Sequence, residues 1–184
     1  MRRTRILLAD DHAMICAGFR KLLEPEFEVV GTVGDGRSLL TAAEELKPDV
    51  VLVDVGIPLL NGLDAARQLK KIMPRVKLIF VTMNPDSDVA REAFRIGASG
   101  YLLKSSQGEE LLRAVRDAVS GMSYVTPQIR REMEERFIQD PKTVSRPKHL
   151  TPPSTRDRAV AGEGPISEGN RLHSRHLDQD GPLP

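Results

Sequence analysis

The sequence has a single cysteine, no tryptophan and no long apolar run. Because Cys16 cannot form an intramolecular disulfide, the composition suits a reducing compartment, and we expect a cytoplasmic protein. The start, MRRTRILLADDH, superficially resembles a secretion signal, but its apolar run is too short and ends in two aspartates. No stretch approaches the length of a transmembrane helix, so we expect no membrane partner.

Basic and acidic residues are nearly equal in number, with 27 lysines and arginines against 26 aspartates and glutamates. The formal net charge is +1, which gives no global indication of nucleic acid or a membrane surface as a partner. Aromatic residues are few, and none lies beyond Phe137, whereas seven of the 13 prolines do. A chain of 184 residues has room for one well-packed domain and an appendage. We therefore expect a core-forming first part and a last part that buries little apolar surface.

Short apolar runs alternate with amphipathic stretches along residues 1–121. The runs ILLA, FEVVGTV, VVLVDV, KLIFVTM and GYLLK are predicted to be strands, and the stretch after each has apolar residues at helical spacing. Five such units in tandem predict an α/β fold with a doubly wound five-stranded parallel sheet. In sheets of this kind the ligand site lies beyond the carboxyl ends of the strands.

Polar residues stand at this end of four predicted strands: Asp10 and Asp11, Asp54, Thr82, and Lys104. Three carboxylates that lie close together repel one another unless a cation neutralises them, and a hard divalent ion such as Mg²⁺ fits such ligands. Lys104 would add a second positive charge, and Thr82 a hydroxyl donor to an incoming oxyanion. The set suits a nucleophilic carboxylate that receives a phosphoryl group.

Each of these residues has an ordinary alternative when it is taken alone. Asp10 or Asp11 is also a good helix N-cap, Thr82 a common strand residue, and Lys104 a typical solvated lysine at a strand end. Independent ordinary roles would seldom place all five at the same edge of one sheet. Their joint placement is therefore the signal on which the functional prediction depends.

The segments LLADDH, DVVLVDVGIPLLNG, LIFVTM and GASGYLLK resemble the receiver domain of two-component response regulators, from Arg5 to about Ser120. The resemblance implies a flavodoxin-like fold with strand order 2-1-3-4-5. It implies Asp54 as the phosphoacceptor. It also implies an Mg²⁺ ion held by Asp11, Asp54 and the backbone carbonyl of Gly56, with Asp10 acting through water.

The same resemblance assigns roles to further residues. Lys104 and Thr82 would contact phosphoryl oxygens, and Tyr101 matches an aromatic residue that turns inward on activation, although a half-exposed strand tyrosine is the alternative. Pro58 and Gly62 match the loop that follows the phosphoacceptor, where Gly62 would supply backbone freedom before the next helix. A phosphorylated receiver of this kind shifts between two states and presents a changed surface.

The resemblance also implies partners. The phosphoryl donor would be a histidine of a separate sensor histidine kinase, and a homodimer that forms on phosphorylation is a further expected partner. His12 completes a DDH segment typical of regulators with a LuxR-type (NarL/FixJ) output domain, and we interpret it as a helix-start residue. Residues 1–121 are thus predicted to be the receiver, and residues 122–139, which contain SYVTPQIRREMEERFIQ, its linker helix.

Residues 140–184 do not continue this pattern. KHLTP resembles the opening of a LuxR-type helix-turn-helix domain, but the residues after it have no helical period and a composition typical of disorder. We hypothesise that they are this domain translated out of frame, because the codon junctions after Pro153 permit its sequence and two consecutive prolines imply a run of cytosines. A natural disordered tail is the alternative. DNA is then a partner only if the domain is restored or intact.

Three functions remain to be compared. The first is a response regulator that controls transcription, and the second is a stand-alone receiver that acts by phosphate transfer or protein contacts. The third is a phosphatase or phosphotransferase, but such enzymes carry a second aspartate two residues after the nucleophile, where this chain has Gly56. We therefore expect no enzyme activity other than the chain's own phosphorylation and dephosphorylation.

Overall fold

The structure, a computed structural model, describes residues 2–139, with side chains described as far as residue 135. The two predictions for residues 140–184, a disordered tail and an out-of-frame helix-turn-helix, lie outside this range. Strands and helices alternate throughout: β1 Arg5–Ala9, α1 Ala13–Leu23, β2 Glu28–Val33, α2 Gly36–Leu46, β3 Val50–Asp54, α3 Gly62–Ile72, β4 Lys77–Thr82, α4 Ser87–Ile96, β5 Gly100–Leu103, α5 Gly108–Val119, β6 Tyr124–Val125 and α6 Pro127–Gln139.

All strands of the sheet are parallel, and their order is β2-β1-β3-β4-β5-β6. The predicted α/β fold and the order 2-1-3-4-5 are confirmed. The predicted number of five strands is too low, since a short sixth strand extends the sheet beyond β5.

Both faces of the sheet are covered, because side chains of successive strand residues point to opposite faces. One buried cluster packs α2, α3, α4 and α6 against residues such as Leu7, Val51 and Phe80. The other packs α1 and α5 against Ile6 and Leu52. The strands are therefore almost wholly apolar, as the run VVLVDV predicted, and polar chemistry is confined to the ends of the strands.

Local sequence signals start several helices. The side chains of Asp35, Asn61 and Asp86 each accept a hydrogen bond from a backbone N–H in the first turn of α2, α3 and α4. None of the helices in the described part of the chain is long and apolar enough to cross a membrane.

The segment after α5 corrects the predicted linker helix. Residues 122–139 were expected to be helical, but Tyr124 and Val125 form β6, and α6 begins only at Pro127. Proline disfavours helical backbone in the residue before it and is well tolerated in the first turn of a helix, so it sets this boundary. Ile129 is fully buried in the cluster that α6 shares with α4. This segment is therefore packed against the sheet.

Candidate functional site

The strand register brings the predicted site residues together. Ala9 is paired with Val53, so the residues that follow β1 stand beside Asp54 at the end of β3. On the other side, β4 and β5 end next to each other, and the backbone N–H of Lys104 donates to the carbonyl of Thr82 at 2.7 Å. Residues that are up to 94 positions apart in the sequence, Asp10 and Lys104, thus meet at one edge of the sheet.

Lys104 lies at the centre of this edge. Its Nζ is 2.8 Å from Oδ2 of Asp10 and 2.9 Å from Oδ2 of Asp54. The Lys104 side chain is only 1% exposed, so the alternative of a solvated lysine is wrong. Burial alone would lower the pKa of Lys104, but the two carboxylates outweigh burial and raise it. The lysine is therefore a fixed positive charge between two nearly buried carboxylates.

The carboxylates form a cluster that one ammonium group does not balance. Asp10, Asp11, His12 and Asp54 can each offer one ligand atom, and these atoms all lie within 4.8 Å of one another. Asp10 and Asp54 are buried, whereas the side chain of Asp11 is 42% exposed and keeps the cluster open to solvent. Carboxylate oxygens are the ligands that Mg²⁺ prefers, so the donor set fits the predicted ion.

His12 belongs to this cluster, which the sequence did not indicate. Its Nδ1 lies 2.9 Å from Oδ1 of Asp11, 3.1 Å from Oδ1 of Asp10 and 3.4 Å from Nζ of Lys104. His12, rather than either aspartate, is the N-cap of α1, so the helix-start role is confirmed and the alternative of an aspartate cap is wrong. Oδ1 of Asp10 instead accepts from the backbone N–H of His12.

The cluster forms one wall of a cleft of about 360 Å³. Thr82 and Tyr101 line the same cleft as Asp54 and Lys104, and both are buried. The alternative of a half-exposed tyrosine is therefore wrong; burial and then the charge of Asp86 raise the pKa of Tyr101. The Tyr101 hydroxyl lies near Thr82 without a hydrogen bond of good geometry.

The structure adds cleft residues that the sequence analysis missed. Besides Val55, which follows Asp54, they are Met83, Asn84, Asp86 and Val89, from the β4–α4 connection or the start of α4. Closeness in sequence to Thr82 was the available signal for the last four. The backbone N–H of Asn84 donates to the Thr82 hydroxyl at 3.3 Å, so Thr82 helps to hold this connection in place.

The loop after Asp54 is held in a strained turn. Leu59 has a positive φ of 64°, which is uncommon for a residue with a side chain. It is the central residue of a three-residue turn, in which the N–H of Leu60 donates to the carbonyl of Pro58 at 2.8 Å. The same carbonyl accepts from the N–H of Gly36 at the start of α2. Pro58 thereby joins the loop to a neighbouring helix.

Gly62 is needed for space rather than for backbone freedom. Its φ is not among the positive values of the described residues, so the predicted role is wrong. A Cβ at this position would lie 2.2 Å from the carbonyl oxygen of Asp54 and 3.0 Å from Cα of Val55. The first turn of α3 therefore packs directly on the backbone that carries Asp54. Gly56 lines the cleft, and its carbonyl as an Mg²⁺ ligand stays a prediction.

Comparison with known proteins agrees with this geometry. Residues 6–116 match the family described as the response regulator receiver domain. The chain is 35% identical to the transcriptional regulatory protein DegU of Brevibacillus brevis over 69% of this chain and 55% of that protein. It is 34% identical to the response regulator GacA of Pseudomonas aeruginosa over 73% of this chain and 64% of that protein.

A solved structure is also similar. A LuxR-family two-component response regulator from Aurantimonas is 33% identical, with a TM-score of 0.71 over 74% of this chain and 99% of that one. The chain spans between half and two thirds of the length of the curated relatives named above. The similar solved structure supports the parallel α/β fold. This chain belongs to the response regulator receiver domain family.

Proposed function

We propose that this chain is the phosphorylation-controlled component of a two-component system and that Asp54 is its phosphoacceptor. The observation that carries the proposal is the setting of the Asp54 carboxylate, which ends the central strand β3, faces an open cleft and has Lys104 Nζ at 2.9 Å. A carboxylate placed in this way can act as a nucleophile, and the ammonium group can neutralise part of the negative charge on the incoming phosphoryl oxygens.

The acidic cluster supports Mg²⁺ as the cofactor. Asp11 and Asp54 would hold the ion directly, with the Gly56 carbonyl, and Asp10 would act through water. When bound, the ion would neutralise charge between the carboxylates and the phosphoryl oxygens and orient them. Lys104 alone cannot do this, because its one ammonium group pairs with two carboxylates of a cluster that contains three.

The cleft residues supply a route from phosphorylation to a changed surface. A phosphoryl group adds roughly −1.5 to −2 charge and three acceptor oxygens at Asp54. Lys104 and the Thr82 hydroxyl would turn to these oxygens. Because Thr82 contacts the β4–α4 connection and Tyr101 is buried beneath it, movement of Thr82 would reposition the start of α4. This is the step that a partner protein would detect.

The partners follow from the family. A sensor histidine kinase would donate the phosphoryl group, and a homodimer could form through the changed surface. Relatives whose names describe transcriptional regulators favour control of transcription over a stand-alone receiver. Direct DNA binding would require a helix-turn-helix in frame beyond residue 139. We expect no reaction on another substrate, and phosphorylation and its reversal would be the only chemistry.

Phosphorylation of the purified chain by acetyl phosphate tests the proposal, with intact mass as the measurement. We expect one phosphoryl group per chain in the presence of Mg²⁺, and none after chelation of the ion. Asp54→Asn should abolish the product, whereas the matched control Asp35→Asn, at the half-buried N-cap of α2, should leave it unchanged. Equal phosphorylation of Asp54→Asn and wild type would refute Asp54 as the acceptor.

A further inference from the structure

A second cleft lies at the amino ends of the strands, at the edge opposite the acidic cluster. It measures about 920 Å³ and is lined by five cationic side chains, which define it as the basic cleft: Arg2, Arg3, Lys47, Arg75 and Lys77. Asp49 is the one carboxylate among its described lining residues. Strands β3 and β4 separate the basic cleft from the acidic edge by about 15 Å, at roughly 3.3 Å per residue.

Three neighbouring strands contribute to the basic cleft. Arg2 and Arg3 precede β1, Lys47 and Asp49 precede β3, and Arg75 precedes β4, which begins with Lys77. Hydrogen bonds align these strand ends, since the N–H of Asp49 donates to the carbonyl of Arg5 and the N–H of Lys77 donates to the carbonyl of Asp49. With strands about 4.8 Å apart, the cations are distributed over a width of about 10 Å.

Several of these cations are not used by the fold. Arg2 is 3.4 Å from Asp49, and Arg3 donates to the carbonyls of Glu24 and Pro25. By contrast, the side chains of Lys47, Arg75 and Lys77 make no ion pair or hydrogen bond with residues 2–135, the part of the chain whose side chains are described. Two cations thus help to hold the chain in place, and three are left to contact an anion.

Positive charge at this edge has an ordinary role as well, because α2 and α3 end here and helix carboxyl ends favour cations. Lys70 lies in the last turn of α3 and serves that role; its Nζ also donates to the carbonyl of Val76, in the connection to β4, at 2.6 Å. Burial lowers the pKa of Lys70, and the charge of Lys77 lowers it further. The positive charges here therefore repel one another, and a bound anion would relieve that repulsion.

Apart from Thr4, the uncharged residues that line the basic cleft are apolar. Pro48, Met73, Val76 and Val119 line it, and Val119 is 46% exposed. A volume of several hundred Å³, with apolar walls and a few charged groups, is typical of sites for small organic ligands rather than of extended nucleic-acid surfaces. Arginine and lysine are the usual contacts for phosphate groups.

We propose that the basic cleft is a binding site for a nucleoside polyphosphate, whose phosphates contact Lys47, Arg75 and Lys77 while its base packs on the apolar wall. The basic cleft lies at the amino ends of the strands, whereas Asp54 lies at their carboxyl ends. The proposal goes beyond the proposed function and does not depend on it.

The test is titration of the purified full chain with ATP and with GTP by calorimetry, in a chelator so that the acidic cluster holds no metal. We expect one saturable site for at least one of the two nucleotides. Lys47→Glu and Arg75→Glu should each weaken binding tenfold or more. The matched control is Arg37→Glu, which makes the same charge change near the other end of α2, about 15 Å away, and should change affinity less than twofold.

Two further probes identify the occupant. Inorganic triphosphate should bind at least tenfold more weakly than the nucleotide, and amide chemical shifts should change at residues 47–49 and 75–77 rather than at residues 10–12 and 54. Absence of nucleotide binding would overturn the proposal. So would triphosphate binding as tight as that of the nucleotide, binding only of duplex DNA, or equal weakening by Arg37→Glu and Lys47→Glu.

Discussion

The close packing of α3 on the Asp54 backbone makes Gly62→Ala a test of how the site is built. The added Cβ would lie 2.2 Å from the Asp54 carbonyl oxygen, about 1 Å closer than side chains normally approach such an atom. The neighbouring atoms belong to the backbone at the end of a fully buried strand and cannot rotate away. Overpacking of this kind costs about 1 to 3 kcal/mol, and we expect a value of about 2 to 3 kcal/mol.

Gly18→Ala is the matched control. Gly18 lies within α1, its φ is not positive, and an added Cβ would meet no atom within 4 Å other than those of its chain neighbours and of its own helix backbone. The same substitution there should stabilise the chain by about 0.5 to 1 kcal/mol, because alanine loses less backbone entropy in a helix than glycine. The two substitutions are chemically identical, so their opposite signs would isolate the effect of the close approach.

Urea unfolding, followed by circular dichroism, measures both variants. With a slope of about 2 kcal/mol per molar urea, Gly62→Ala should lower the midpoint by about 1 M and Gly18→Ala should raise it slightly. If Gly62→Ala is as stable as wild type, or more stable as Gly18→Ala should be, then the gain in helix propensity outweighs the clash of the added Cβ with the Asp54 backbone. The close approach to Asp54 would then not constrain the loop.

Three further predictions concern stability. Lys104→Met leaves two buried carboxylates without their cation, so unfolding in urea without metal should show a loss of about 3 to 5 kcal/mol; a loss below 1 kcal/mol would contradict the ion-pair geometry. Ile129→Ala should cost about 2 to 5 kcal/mol in the same assay, because its side chain is fully buried beneath α6, and a neutral effect would mean that α6 does not pack there. A hydrogen bond from Ser38 lowers the pKa of Asp35, so the ionised carboxylate stabilises the fold above the usual aspartate pKa, and this stabilisation is lost as pH falls through the lowered pKa. The melting temperature of Asp35→Asn should therefore differ from that of wild type at pH 7 and approach it at strongly acidic pH. A difference that does not change with pH would refute this origin.

The predicted site followed from the sequence because parallel sheets impose a simple rule. Asp10, Asp54, Thr82 and Lys104 each stand at the carboxyl end of an apolar run, and the strand order then determines which of them are neighbours. What the runs could not reveal is how each side chain is oriented. His12 was interpreted only as a helix-start residue because no sequence period reports that its ring turns back to the carboxylates.

The sequence mispredicted β6 and the role of Gly62 because both depend on contacts with distant parts of the chain. The strand β6 is two residues long, and so short a run has no period that could distinguish it from a linker helix. Gly62 was assigned backbone freedom, which is the common local reason for a glycine in a loop, whereas the actual reason is a contact with Asp54 from another element. Long-range contacts leave no local signal, so both features had to be read from the structure.

The sequence by itself determined the alternation of strands and helices, the doubly wound parallel sheet and the edge at which the acidic residues gather. It did so because apolar periodicity and strand-end polarity are local properties of the chain. Only the tertiary structure decided that Lys104 joins Asp10 to Asp54, that His12 completes the cluster, and that separate strand ends form the basic cleft. These are distances between residues far apart in the chain, and packing rather than local sequence sets them.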